Sequence, residues 1–228
     1  MRKYFVLVGL LLLTAGSALA QEFPTVETSP AFMFIRSNPN LSNQFDIQNP
    51  IAGQPPIPIT GANDFNCAGG GGTLAYNLTS MFGIAADLGG CKYFGSTISA
   101  GNKISGSQFT YLFGPRITFR NASPFRPFFE LNFGGDRLAV TCQTSATACV
   151  NATGGNSYSR NAFAMTVGGG FDIQINKKFS LRPIQAEYLY TRFGNQCALS
   201  VCSNNNNQNS FRLKSGFVIG WGGSASSN

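Results

Sequence analysis

Between positions 109 and 120 the chain alternates strictly. Phe109, Tyr111, Phe113, Pro115, Ile117 and Phe119 take every second place, and Thr110, Leu112, Gly114, Arg116, Thr118 and Arg120 fill the gaps. A β-strand throws successive side chains to opposite faces, so the segment predicts a strand with one apolar and one mostly polar wall. The pattern recurs: Phe82, Ile84, Ala86 and Leu88 against Gly83, Ala85, Asp87 and Gly89; Phe163, Met165, Val167, Phe171 and Ile173 against Ala164, Thr166, Gly168, Gly170 and Asp172. It recurs again as Phe211, Leu213, Phe217, Ile219 and Trp221 against Arg212, Lys214, Gly216, Val218 and Gly220. Eight strands are predicted, at about 25–36, 65–78, 81–93, 107–120, 125–138, 160–175, 178–193 and 210–222. Pro30 and Pro183 remove ladder donors from the first and seventh, whose alternation is weaker.

The links alternate as well. Those near Thr79-Ser80, 121–124 and Asn176-Lys177 are tight turns, whereas 37–64, 94–106, 139–159 and 194–209 are long, polar and rich in Asn, Ser and Gly. Short turns at one end and long loops at the other are the pattern of outer-membrane barrels, with turns in the periplasm and loops outside. Eight strands with three short turns put both termini at the turn end, hence in the periplasm. The apolar walls offer more surface than a water-soluble protein leaves exposed. In lipid every backbone N–H and C=O must pair internally, which requires closure. The expected fold is all-β: a closed eight-stranded antiparallel up-and-down transmembrane β-barrel.

A soluble, lipocalin-like carrier is the inverse arrangement, and it would put Asp87, Arg116, Glu130, Asp172, Glu187 and Lys214 outside. Two features oppose it. The polar wall is mostly Gly, Ala, Thr and Ser, which suits tight curvature around a narrow lumen. Tyr76, Phe82, Phe119, Phe125, Phe179 and Trp221 gather at the turn end, as aromatic rims do at a headgroup layer.

The chain opens with Arg2 and Lys3, an apolar run to Leu13, then Ala18-Leu19-Ala20, which reads as a secretory signal cut after Ala20. The run is too short to span a bilayer as a helix. This divides the chain into a signal peptide at 1–20, a barrel domain at 21–223 and a short tail at 224–228. The formal charge of +7 falls by two once Arg2 and Lys3 are removed, and the other basic residues form no block longer than Lys177-Lys178. Nucleic acid is not an expected partner, because no basic stripe with interleaved aromatics is present.

All six cysteines lie beyond the signal. Cys67 and Cys91 are equidistant from position 79 in the second hairpin, so simple register sets them opposite one another on the lumen wall. Cys142 and Cys149 share the third long loop, and Cys197 and Cys202 the fourth. Of fifteen possible connectivities, 67–91, 142–149 and 197–202 is the local one; each small loop closure contributes about 2–2.5 kcal/mol on a chain-entropy argument. An oxidising exported compartment favours disulfides over a metal site.

The chain has no histidine, which removes Ser-His-Asp and Cys-His catalysis and the usual zinc sets. No cofactor is expected, and no enzymatic activity. Glu27, Asp87, Glu130, Asp172 and Glu187 fall on the lumen wall with Arg116 and Lys214, and Arg182 and Arg212 are further candidates. Buried charges persist when partnered, so the expectation is a salt-bridge network that fills the barrel. The Gly69–Gly72 run lacks the Lys-Ser/Thr of a phosphate loop and fits a crowded strand instead.

Lys214, Gly216, Ile219 and Trp221 resemble the C-terminal insertion signal of outer-membrane barrels: a polar residue, a glycine two on, then two hydrophobic or aromatic residues. The tail after Trp221 departs from the members that end on the aromatic. The region from 25 to 222 resembles small eight-stranded barrels of the OmpA/OmpX, porin-like type. The resemblance implies outer-membrane lipid and, during insertion, the barrel assembly machinery as partners. The expected role is envelope structure and surface interaction, by adhesion or recognition, through disulfide-stapled loops. A small porin-like diffusion channel is the alternative.

Overall fold

A computed structural model describes residues 23–37, 65–94, 97–98, 102–121, 123–142, 157–192, 196–198, 201–203 and 207–223. Eight long strands dominate: β1 (Pro24–Ser37), β2 (Phe65–Asn77), β3 (Phe82–Phe94), β4 (Asn102–Thr118), β5 (Phe125–Cys142), β6 (Ser157–Gln174), β7 (Phe179–Arg192) and β8 (Asn207–Gly223). Each pairs antiparallel with its sequence neighbours, and β1 pairs β8, so the sheet closes with no edge. The fold is the closed up-and-down barrel expected from the alternation. The start of β1 and the end of β8 meet at Pro24↔Gly223, at the same end as the three short turns.

The strands tilt. Following the register from Thr28 through Leu74, Ala86, Phe113, Phe133, Met165 and Tyr190 arrives at Asn209, whose neighbour Ser210 pairs with Ser37, far up the same first strand. That shear is what lets eight strands wrap a core only wide enough for side chains.

The turns carry their own chemistry. Thr79 Oγ1 accepts from the amides of Met81 and Phe82 at 3.2 and 2.9 Å. Asn176 Oδ1 accepts from those of Lys178 and Phe179 at 2.9 and 2.8 Å. Such short side chains stabilise turns by mimicking a backbone acceptor. Pro183 sits where β7 shifts register against both neighbours, between Phe171 and Ile173 on one side and Lys214 and Gly216 on the other. A bulge is where a strand tolerates a residue with no N–H.

Several strands outrun their predicted ends. β4 begins at Asn102, β5 reaches Cys142, β6 starts at Ser157 and β8 at Asn207. The predicted loops 94–106, 139–159 and 194–209 are therefore partly strand; Thr97–Ile98 also pairs with the start of β4, and Gln196–Ala198 with Val201–Ser203. Ladder pairing, such as Ile104↔Cys142, continues past the point where the hydrophobic alternation of the sequence fades.

A second correction concerns the β2–β3 register. Cys67 pairs with Tyr93, and Cys91 with Gly69. The hairpin is centred on position 80 rather than 79, as Asn77↔Gly83 shows, with the amides of Leu78 and Thr79 donating to the Phe82 carbonyl, so every partner moves by two. Cys67 and Cys91 nonetheless form a disulfide, as diagonal neighbours with Cα atoms 5.5 Å apart. Gly69, opposite Cys91, leaves the space: a Cβ there would collide with the backbone of Gly90 and Cys91.

The walls segregate. Phe113 is 64 % exposed and Trp221 56 %, and Phe32, Leu88, Phe129 and Phe163 are also exposed on the outside. Every described carboxylate (Glu27, Asp87, Glu130, Asp136, Asp172 and Glu187) is buried inside. This is the inverse of a lipocalin. From Val26 to Arg36 the outer wall rises about 25 Å for strands tilted about 40°, the height of a lipid-facing band.

Candidate functional site

The interior is solid with side chains, arranged in tiers. Nearest the turns, Arg116 reaches three carboxylates: Asp172 at 3.2 Å, Glu27 at 3.4 Å and Glu130 at 3.7 Å. Arg182 grips Asp172 with Nε and Nη2 at 2.7 and 2.9 Å, a bidentate fork. Arg120 Nη2 closes on Glu27 at 2.7 Å, where Asn77 Nδ2 also donates at 3.1 Å. The guanidinium carbons of Arg116 and Arg182 lie 4.5 and 4.1 Å from the centre of the inward ring of Phe128.

The next tier centres on Arg212, 2.9 Å from Asp87 and 2.5 Å from Glu187, with Thr110 Oγ1 accepting at 3.1 Å. Lys214 bonds Asp87 and lies 3.8 Å from Glu187, and Thr73 Oγ1 donates to Asp87 at 2.9 Å. Gln185 joins the two tiers: it accepts from Arg182 at 3.0 Å and donates to Glu187 at 2.9 Å and Glu130 at 3.3 Å. Five carboxylates (Glu27, Asp87, Glu130, Asp172, Glu187) thus face five cations (Arg116, Arg120, Arg182, Arg212, Lys214) in one connected, neutral network. Burial in low dielectric makes such pairing obligatory, because an isolated charge there would be expensive.

Above the charges lies an apolar tier of Met33, Ile35, the Cys67–Cys91 bridge, Leu112, Ala164 and Leu189. A polar tier caps it. Tyr93 donates to Gln108 at 2.7 Å, Gln108 and Thr191 donate to Asp136 at 2.5 and 3.1 Å, and Ser210 donates to Ser37 at 3.0 Å. Below the charges a small recess, open to solvent at the turn end, is lined by Arg120, Arg126, Lys177 and Lys178 among others. Its floor is the first ionic tier.

All seven residues named for the charge network, with Arg182 and Arg212, are brought together here. The sequence reading missed Arg120, Phe128, Gln185 and the apolar tier. Parity was the available signal: Phe128 is in phase with Glu130, and Arg120 with Arg116 and Thr118. Met33 and Ile35 lie on β1, where Pro30 blurs the pattern, so their inward phase was not legible. Of the insertion-signal residues, Lys214 is spent on Asp87 and Gly216 packs against the Pro30 carbonyl. Ile219 is half-buried, and the Trp221 indole donates to Thr28 at 3.1 Å. Cys197 and Cys202 are register partners in the short ribbon, and Ile104 partners Cys142, whereas Cys149 lies outside the described residues, as does 38–64.

The Cys67–Cys91 bridge ties two neighbouring strands across the apolar tier. Replacing both cysteines by alanine should lower stability by about 3 kcal/mol, read from equilibrium urea unfolding of the oxidised protein and the variant in detergent.

A closed barrel that is greasy outside and ionically filled inside defines a membrane-spanning β-barrel. The chain belongs to the outer membrane protein beta-barrel domain family, whose model matches residues 5–222. Members of this family are outer-membrane proteins of Gram-negative bacteria. Among solved structures the chain is similar to Neisserial surface protein A, at a TM-score of 0.53 and 10% identity, over 86% of this chain and 97% of that one. Ail, the attachment invasion locus protein of Yersinia pestis, aligns at 0.47 and 13% identity over 86% and 99% of the two chains. OprG from Pseudomonas aeruginosa aligns at 0.43 and 11% identity over 86% and 96%. At these identities the likeness concerns the fold. No curated protein matches the sequence.

Proposed function

We propose that the protein is a non-enzymatic integral barrel of the bacterial outer membrane, with both termini and the short turns in the periplasm and the long loops at the cell surface. It serves envelope structure and surface interaction through those loops. The observation that carries this reading is the filled lumen. Ten interlocked charges and an apolar tier leave no continuous path for solute, and each network carboxylate is held by a cation rather than offered to a substrate. The site for a partner is then the loop end, set on a rigid scaffold, as binding sites commonly are. A signal peptide at 1–20 and recognition of β8 by the assembly machinery complete the route to the membrane.

Planar-bilayer recording of the refolded barrel should give no steady conductance above the lipid baseline. A stable open level would instead establish a channel. Orientation is read separately: protease added to intact cells should cut only in the segments 38–64, 95–101, 143–156 and 193–206.

A further inference from the structure

The recess at the turn end is lined by more positive charge than the ionic tier above it uses. Arg120 lies just past the end of β4, Arg126 at the start of β5, and Lys178 in the turn between β6 and β7; the acids of the lining are Glu27 and Asp172. Both acids are committed. Asp172 gives Oδ1 to Arg182 Nε at 2.7 Å, and Oδ2 to Arg182 Nη2 and Arg116 Nη2 at 2.9 and 3.2 Å. Glu27 gives Oε1 to Arg120 and Asn77, and its Oε2 faces Arg116. Arg126 is the register partner of Asp172, yet it makes no ion pair among the described residues, and neither does Lys178. Of the acids outside the described residues, Asp46 and Asp64 belong to the loop 38–64 at the opposite end, and Glu22 precedes β1 at this one.

The donors are set in place. The Nε atoms of Arg120 and Arg126 are buried and have no hydrogen-bond partner among the described residues. Arg120 is anchored by its other nitrogens, on the Ser80 carbonyl at 2.6 Å and on Glu27 at 2.7 Å. Lys178 is fixed at both its peptide groups: its amide donates to Asn176 Oδ1 at 2.9 Å, and its carbonyl accepts from the Gly220 amide at 2.7 Å. Thr118 Oγ1 accepts from Arg116 Nε at 3.2 Å, which leaves its own proton to donate. A buried donor without an acceptor is costly. Two cations converging from separate elements on one small opening call for two negative charges and for acceptors on several sides. A tetrahedral oxyanion offers both, and a planar carboxylate offers one charge and two oxygens.

We propose that the turn-end recess binds a phosphate-type dianion, free or as the end group of a phosphomonoester. Arg126 and Lys178 neutralise it, the free Nε of Arg120 donates to it, and the hydroxyls of Thr118 and Ser180 supply neutral donors. That the site faces the periplasm rests on the orientation proposed above, which the protease experiment reads separately from binding.

The test titrates inorganic phosphate into the full barrel, refolded in a phosphate-free maltoside detergent, and follows the heat at fixed ionic strength. One phosphate should bind per barrel. Arg126→Gln should weaken binding about tenfold, the loss of one charge-assisted contact, whereas Lys92→Gln at the loop end should leave it unchanged. Acetate, with one charge, should bind more weakly than phosphate. Glycerol 3-phosphate separates the two sources: comparable affinity marks a phosphomonoester site, and loss of binding marks a site for the free ion. The unaltered protein gives a second reading, independent of how the variants fold: phosphate should slow acetylation of the exposed Lys178 but not of Lys92, read by peptide mass spectrometry. Absence of saturable phosphate binding in the wild type, equal affinity for acetate, or an equal loss in Lys92→Gln overturns the proposal. So does binding that appears only in Glu22→Gln, because the recess would then be filled by the chain's own carboxylate.

Discussion

Replacing Arg212 by methionine should destabilise the barrel by about 3–5 kcal/mol, because it leaves buried charge without a partner. Arg212 lies 2.9 Å from Asp87 and 2.5 Å from Glu187, and none of the three is more than 1 % exposed. Lys214 still answers Asp87, so the larger share of the penalty falls on Glu187, whose other cation is 3.8 Å away. Neutralising that carboxylate as well, in Arg212→Met/Glu187→Gln, should therefore recover a substantial part of the loss. Equilibrium urea unfolding in lipid bilayers reads both. A loss under about 1 kcal/mol in the single variant would mean that the network is wetter than its burial implies.

Phe113→Lys should cost more, about 4–6 kcal/mol. Phe113 has the greatest exposure of the described large apolar side chains and lies on β4, six residues from Phe119 at the turn end. A lysine near the mid-plane of the lipid-facing wall costs about 2–4 kcal/mol, and losing the aromatic surface adds roughly 2 kcal/mol. The folding free energy in bilayers and the yield of the heat-modifiable folded band measure it. In a soluble protein, trading an exposed phenylalanine for lysine would be neutral or helpful, so the sign of the change alone distinguishes lipid from water outside the wall.

The alternation that announced the strands was most legible where the chain sees two different solvents on its two sides. In β4, from Phe109 to Phe119, one face meets hydrocarbon and the other a polar interior, and the residues record it one by one. At the loop-end extensions Asn102–Ser105 and 139–142 the pattern vanishes from the sequence although the backbone stays paired. Cys67 and Cys91 were identifiable as a pair because they share a hairpin and a parity. Their diagonal relation was not, because it depends on the position about which the hairpin register is centred, which is 80 rather than 79.

The sequence by itself determined the architecture: strand number, the face most strand residues present, which connections are short, and that the strand acids lie on one wall. Period-two patterning encodes these locally, since a residue's face follows from its parity except across the bulge at Pro183. Only the tertiary structure decided which charge meets which. Arg116 serves Glu27, Glu130 and Asp172 from three other strands, and Arg212 joins Asp87 to Glu187 across the lumen. Those partnerships depend on the shear with which the sheet closes. Shear belongs to the whole ring, so no single strand's residues carry it.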